Sequence, residues 1–369
     1  MEAIYKYFNL TIVCANIIAY CCTAFSLKSN STSIRLHIMA IIQYVSNPHL
    51  HTILDGWQGN PHNGKRFFDP HKPFSTSLSK VLKWQTSPKP RAKEKKADTW
   101  RLETIFNTDF LNTTDDCIVW LGHASYYMRL GGIRFITDPV FYPISGVVKR
   151  LSDMPCAVSE FKNIDYVLLS HAHRDHCDRR SLTELYQHNK FELLTGLGVG
   201  KLVSKWLPNL RYHEAGWYQQ YLELKNDLQI TYIPTQHWSN RYPWDTNETL
   251  WGSMMICTGN KHIYFGGDSG YCNYPLTTAR LFPSIDVAML GVGAYTPDYM
   301  MQDVHTTPRQ AVQILHDLNA KTMLPMHYGT FDLADEPLGE PERMLKAMNE
   351  ASEIKARLAI LKPGELYRV

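Results

Sequence analysis

Three histidines and an aspartate stand together at His171-Ala-His173-Arg-Asp175-His176, directly after the apolar run Asp165-Tyr-Val-Leu-Leu-Ser170. A short apolar run of this kind reads as a buried strand, so the fold has to bring a polar site to a strand end. Imidazole nitrogen and carboxylate oxygen suit zinc and neighbouring divalent ions. On an extended backbone His171 and His173 project to one side, because side chains alternate with period two. A chain that tightens after them turns Asp175 and His176 toward a second ion. Two ions roughly 3.5 to 4 Å apart would clamp the attacking and leaving oxygens of a hydrolysis. Histidines scattered on a polar loop would not gather beside an acid just past an apolar strand.

The chain of 369 residues fits one large α/β enzyme with an N-terminal extension, not two equal domains. A formal charge of +3 with 20% charged residues describes an ordinary globular surface and gives no ground for a nucleic-acid partner. Eight cysteines, at 14, 21, 22, 117, 156, 177, 257 and 272, form no Cys-x-x-Cys pair, so neither a disulfide framework nor a cysteine zinc site is expected. Cys177 follows His176 and reads as a buried spectator thiol.

Residues 1–38 are read as an apolar signal or membrane anchor, since Phe8 to Leu27 carries no charge. Asn9, Asn16, Thr11 and Thr23 interrupt it. The expected location is membrane-associated, through this segment or peripherally, and cytoplasmic if translation starts at Met39. Residues 39–98 are read as an irregular arm and linker. Gly56 to Asp69 is dense in Gly, Pro, Asn and His, with Phe67 and Phe68 as anchors on the main domain. Ser87-Pro-Lys-Pro-Arg-Ala-Lys-Glu-Lys-Lys96 is basic, and is either simply solvated or in contact with anionic lipid headgroups.

Residues 99–369 form the expected catalytic domain. Short strands are predicted over Cys117–Leu121, Ser125–Leu130, Ile133–Thr137, Tyr166–Leu169, Gln229–Ile233, Met254–Cys257, Ile263–Phe265, Val287–Leu290 and Thr322–Leu324. Helices are predicted over Pro308–Leu318, capped by Thr307, and Glu340–Lys355. Antiparallel strands followed by mixed βα units predict two packed sheets with helices outside, a four-layer αββα sandwich. Four further segments place a potential ligand just past a strand: Gln236-His237-Trp238, Gly267-Asp268-Ser-Gly-Tyr271, Asp303-Val-His305 and Met326-His327-Tyr-Gly. Each alone is weak; together with the opening cluster they describe a site.

These residues resemble the metallo-β-lactamase fold hydrolases, with His171, His173, Asp175 and His176 matching the H-x-H-x-D-H signature. Trp120-Leu-Gly-His-Ala-Ser125, Thr137-Asp-Pro139, Gln236-His-Trp238, Gly267-Asp-Ser-Gly-Tyr271, Gly293-Ala-Tyr-Thr-Pro297 and His327-Tyr-Gly-Thr-Phe331 look like the branch holding N-acyl-phosphatidylethanolamine-hydrolysing phospholipase D and its RomA-like relatives. The resemblance implies two Zn2+ ions, with Mn2+ or Fe2+ as alternatives. His171, His173 and His237 would hold one ion, Asp175, His176 and His327 the other, and Asp268 would bridge them. It also implies that His305 faces the reacting group as a catalytic residue beside Asp268. His123 and Asp138 are expected to orient the ligands from behind, and Trp238, Tyr271 and Tyr295 to contact substrate. Arg174 and Asp298 depart from the branch pattern and bear on substrate, not on metal.

The activity so implied is hydrolysis of an N-acyl-phosphatidylethanolamine-type phospholipid to phosphatidic acid and an N-acylethanolamine, by metal-activated hydroxide attacking phosphorus. The expected partner is phospholipid at a membrane surface, with a homodimer left open. The aromatic stretches at Trp217-Tyr218 and Trp238 to Trp244 suit lipid access or simple packing. Two alternatives stand beside it. One is a soluble lactonase resembling the ascorbate-6-phosphate lactonases; the other is a non-catalytic, membrane-anchored metal-binding protein.

Overall fold

A computed structural model describes residues 42–72 and 78–369, with the side chains of 78–81 excluded. The apolar stretch from Phe8 to Leu27 lies outside the described residues. Among the described residues no helix is long and apolar enough to cross a membrane.

Two sheets pack face to face. The first has seven strands in the spatial order Leu366–Arg368, Cys117–Gly122, Ser125–Leu130, Ile133–Thr137, Tyr166–Leu169, Glu192–Gly196 and Tyr212–Ala215. The second has eight, in the order Arg357–Leu358, Ala320–Met326, Ile285–Gly291, Lys261–Phe265, Ser253–Thr258, Gln229–Ile233, Gln219–Gln220 and His51–Thr52. Period-two alternation divides the cores. Ile118 and Trp120 join the core between the sheets, whereas Cys117, Val119 and Leu121 pack outward with Leu182, Leu185 and Val203 of the helices Arg179–His188 and Val199–Ser204. On the far side, Ala311, Val312, Ile314 and Leu315 of helix Pro308–Asp317 and Leu345 of helix Glu340–Glu350 close the second sheet. This is the four-layer αββα sandwich expected from the strand and helix pattern.

Helix Pro308–Asp317 begins in a reciprocal capping box between Thr307 and Gln310. The second helix stops at Glu350, not Lys355. Ser352 takes a left-handed backbone (φ 58°), and the Glu353 amide returns to the Met348 carbonyl at 2.9 Å, so the chain closes the helix end on itself.

The arm is less irregular than its composition suggests. Gln43–Val45 pairs with Asn60–His62, and His51–Thr52 adds an edge strand to the eight-stranded sheet. Buried Asn60 makes this workable: its Nδ2 donates to the Val45 carbonyl (2.6 Å) and its Oδ1 accepts the Trp217 amide (2.8 Å). Phe67 is buried in the core between the sheets, and Phe68 is half-buried. The basic linker contains a helix, Ala92–Ala97, and several of its charges are already paired. Lys89 meets Asp335 at 3.0 Å, Arg91 meets Glu340 and Glu94, and Lys95 meets Asp332. These pairs clasp the linker to the C-terminal half of the chain.

Candidate metal centre

Strand ends on one edge of the sandwich bring the candidate ligands together. Asp138 follows strand Ile133–Thr137, His171 to His176 follow Tyr166–Leu169, His237 follows Gln229–Ile233, Asp268 follows Lys261–Phe265 and His327 follows Ala320–Met326. Past the strand the chain tightens, with the amides of His176 (3.2 Å) and Cys177 (2.8 Å) both returning to the His173 carbonyl. That turn brings Asp175 and His176 toward His327, with the His176 ring still 4.4 Å from that of His171.

One triad is made of imidazoles alone. His171 Nε2 lies 2.8 Å and His237 Nε2 3.2 Å from His173 Nδ1. Three ring nitrogens so close cannot all point lone pairs at one another without a cation between them, and a neutral imidazole is the form that ligates. Burial holds all three in that form: His171 and His237 lie well below the ordinary histidine range, and His173 is brought down to about 4.

The second triad mixes charge. His176 Nε2 and His327 Nε2 are 3.3 Å apart, and each is 3.6 Å from Asp175 Oδ2. Burial pushes these histidines down, but the carboxylates of Asp268 and Asp175 outweigh it. His176 ends well above its ordinary range and His327 at about 9.

Asp268 stands between the triads. Its Oδ2 is 3.0 Å from His176 Nε2 and 3.7 Å from His237 Nε2, and its Oδ1 is 3.2 Å from His327 Nε2. Oδ1 is buried without a hydrogen bond. A buried carboxylate oxygen left in this way, among ring nitrogens from two directions, fits metal ligation. The donor set of imidazole and carboxylate therefore suits divalent ions, with Asp268 placed to touch both sites.

The ligand orientations are fixed from behind. Asp138, fully buried, accepts from the Ser170 amide (2.8 Å) and hydroxyl (2.6 Å) and meets His176 Nδ1 at 2.7 Å. Ser170 Oγ in turn meets His171 Nδ1 at 2.9 Å, so one carboxylate braces a ligand of each triad. His237 Nδ1 is fixed by the Val304 carbonyl at 2.9 Å, and His123 Nε2 lies 3.2 Å from Asp175 Oδ2. The His123 ring also packs on His327, centroids 4.1 Å apart. Sequence reasoning missed a backbone feature here. His123 (φ 54°), Asp138 (φ 32°) and His327 (φ 66°) are all left-handed, a region that side-chain-bearing residues seldom occupy.

His305 reaches the same centre. Its Nδ1 is 3.8 Å from Asp268 Oδ2, its ring lies 5.3 Å from that of His237 and 5.2 Å from that of His327, and burial brings it down to about 4. Trp238 packs edge-on against His173, centroids 4.4 Å apart. Tyr271 is exposed, with its hydroxyl on Asp317 at 3.0 Å. Tyr295 is buried, and its hydroxyl goes to Glu340 at 2.5 Å. Trp217 and Tyr218 are likewise core, with Trp217 Nε1 donating to the Trp251 carbonyl, while Tyr242 and Trp244 stack on the surface. Arg174 donates to Ser145 Oγ at 3.1 Å and lies over the Tyr242 ring, and Asp298 is exposed. Cys177 is buried and pushed up to about 12 by that burial, so it is an inert thiol.

A strand-end centre of this composition on an αββα sandwich defines a metal-dependent hydrolase class, and comparison with known proteins agrees. The β-lactamase superfamily domain matches residues 133–328, and the chain belongs to that superfamily, in its metallo-β-lactamase fold. It is a metal-dependent hydrolase. N-acyl-phosphatidylethanolamine-hydrolyzing phospholipase D 1 of Caenorhabditis elegans is 29% identical over 319 residues, covering 79% of this chain and 88% of its own. The mitochondrial N-acyl-phosphatidylethanolamine-hydrolyzing phospholipase D of Saccharomyces cerevisiae is 32% identical over 251 residues, covering 64% of this chain and 53% of its own. Among solved structures, the metallo hydrolase Igni18 of Ignicoccus hospitalis superposes with a TM-score of 0.53 at 20% identity, over 69% of this chain and 99% of its own.

Proposed function

We propose that the chain hydrolyses an N-acyl-phosphatidylethanolamine-type phospholipid at a membrane surface, releasing phosphatidic acid and an N-acylethanolamine. The observation that carries this reading is the placement of Asp268 and His305 between the two triads, in a chain aligned with the worm phospholipase D over 79% of its length. His171, His173 and His237 would hold one ion and Asp175, His176 and His327 the other, with Asp268 shared. Zinc is the proposed metal. When bound, such ions supply positive charge to a phosphoryl group and make a water acidic at neutral pH.

The chain's own residues do the rest. His305, neutral at physiological pH, carries one ring proton, which it can donate in a hydrogen bond to a phosphoryl oxygen or to the departing alkoxide. Asp138 holds His176 and, through Ser170, His171 in the tautomers that leave their Nε2 atoms free to ligate. Trp238 walls the centre beside His173.

The test is incubation of the metal-loaded and chelated protein with N-acyl-phosphatidylethanolamine in mixed micelles, read by mass spectrometry. Phosphatidic acid and N-acylethanolamine are expected from the loaded sample alone. An untouched lipid, with ring opening of a phosphorylated lactone by the same preparation, would overturn the phosphodiester reading and leave the hydrolase standing.

A further inference from the structure

We propose that a second site, between the arm and the catalytic domain, binds an organic ammonium group on Asp69. A cavity of about 530 Å3 lies there. The arm contributes Trp57, Asp69 and His71 to its lining, and the domain contributes Tyr218, Tyr271 and Tyr274. Its size falls within the usual range for small-molecule sites.

Asp69 decides the chemistry. The residue is 2% exposed. Its Oδ1 is taken by the Tyr274 hydroxyl (2.8 Å), the His71 amide (2.8 Å) and the Lys72 amide (3.4 Å). Among the described residues its Oδ2 is buried without any partner. A carboxylate oxygen in that position calls for a donor, and a positively charged donor relieves more of its burial cost than a neutral one.

The walls favour the same ligand. Trp57 and Tyr218 meet edge to face with centroids 5.1 Å apart, and His71 and Tyr274 do so at 5.9 Å. Aromatic faces around a carboxylate attract alkylammonium groups through the ring quadrupole. Among the described residues Trp57 Nε1 is also buried without a partner, so a ligand that carries an acceptor oxygen as well as its charge would satisfy both groups. Lys72 and Arg280 line the same cavity, but both are exposed. Lys72 is already paired with Asp303 at 2.5 Å, and Arg280 donates to Thr277 Oγ1 at 3.0 Å. Their charges are screened by solvent, whereas that of Asp69 is not.

This site is separate from the proposed reaction, because the nitrogen of an N-acylated lipid is an uncharged amide. The ammonium can belong to a free amine or to the headgroup of a lipid. Calorimetric titration of the full chain with ethanolamine should show saturable binding; choline, whose nitrogen carries no N–H, should bind more weakly, and ethylene glycol, which lacks the charge, should not bind. Asp69→Asn should weaken binding by about tenfold or more. Trp57→Leu should weaken it by roughly 2- to 30-fold, the range for loss of one cation–aromatic contact. Melting curves and metal content report whether each variant is folded; should Asp69→Asn fail to fold, undiminished binding by Trp57→Leu would overturn the proposal. So would the absence of saturable ammonium binding by the native chain, or unchanged binding by folded Asp69→Asn. Co-sedimentation with phosphatidylethanolamine-containing vesicles and with phosphatidylglycerol vesicles identifies the source. Binding to the former that depends on Asp69 marks a headgroup, and ammonium binding in solution alone marks a free amine. Hydrolysis of the acylated lipid is read in its own assay, so either idea can fail without the other.

Discussion

The two triads of the centre flank Asp268 and are braced by one carboxylate, Asp138, yet their histidines stand in opposite electrostatic settings. His171, His173 and His237 are kept neutral by burial. At His176 and His327 the carboxylates of Asp268 and Asp175 outweigh burial and favour the protonated form. The difference teaches that carboxylate ligands do two jobs. They prepare a site for a divalent ion, and without the ion they recruit protons to replace it.

The largest effect that would break this picture comes from the shared residue. Asp268→Asn removes a charge from both sites, and His237→Ala removes a nitrogen from the first; each is expected to lower hydrolysis by about 10^2- to 10^3-fold. Metal content by mass spectrometry should fall as well, while circular dichroism stays native. Full activity in both variants would mean that the chemistry lies elsewhere.

The next effect concerns pH and sharpens the contrast. The first triad has already lost its protons well below neutrality, as His173 at about 4 shows, so its metal affinity should be flat between pH 6 and 8. The second must release a proton from His327, raised to about 9, before that ring can ligate. Its affinity should therefore fall as pH drops below about 9, by roughly tenfold per unit for each proton displaced. Titration with zinc at several pH values should resolve one pH-independent step and one pH-dependent step. Two steps with the same pH slope would remove the distinction between the triads.

The smallest expected effect is away from the centre, at the linker. Burial raises the Glu340 carboxyl, but the hydrogen bonds from Arg91 and Tyr295 outweigh it and hold the group below its ordinary value of 4.5. That contribution to stability is complete above about 4.5 and is lost as pH falls through the lowered folded value. Glu340→Gln should cost about 1 kcal/mol or less at neutral pH. The measurable sign would be faster proteolysis near Lys93 with hydrolysis unchanged; a large loss of activity would tie the clasp to the centre.

Legibility in the sequence followed the locality of the signal. The ligands could be read because each follows an apolar strand whose end the pattern marks, as Asp268 follows Phe265 and His327 follows Met326. Helix Pro308–Asp317 could be read because its capping box lies within a few residues. The strands Glu192–Gly196 and Tyr212–Ala215 could not, since their short polar-flanked runs gain meaning only from parallel neighbours. The arm misled for a related reason: Asn60 looks like a turn residue, but its side chain supplies the hydrogen bonds that hold two distant segments. The burial of Tyr295 and Trp217 could not be read because an aromatic residue in a motif does not reveal which way its ring turns.

The left-handed backbones of His123, Asp138 and His327 carry a consequence for how this chain tolerates change. Such conformations cost on the order of 1 to 3 kcal/mol each when borne by residues other than glycine. Here that strain is held by the buried hydrogen bonds around it, the His123 amide on Thr330 Oγ1 at 2.7 Å and the His327 amide on the His123 carbonyl at 3.1 Å among them. The ligands are therefore aimed when the chain folds and not when a metal arrives. Rigidity at the centre is bought with global stability, so substitutions that relax these three backbones should raise the melting temperature and weaken metal binding together.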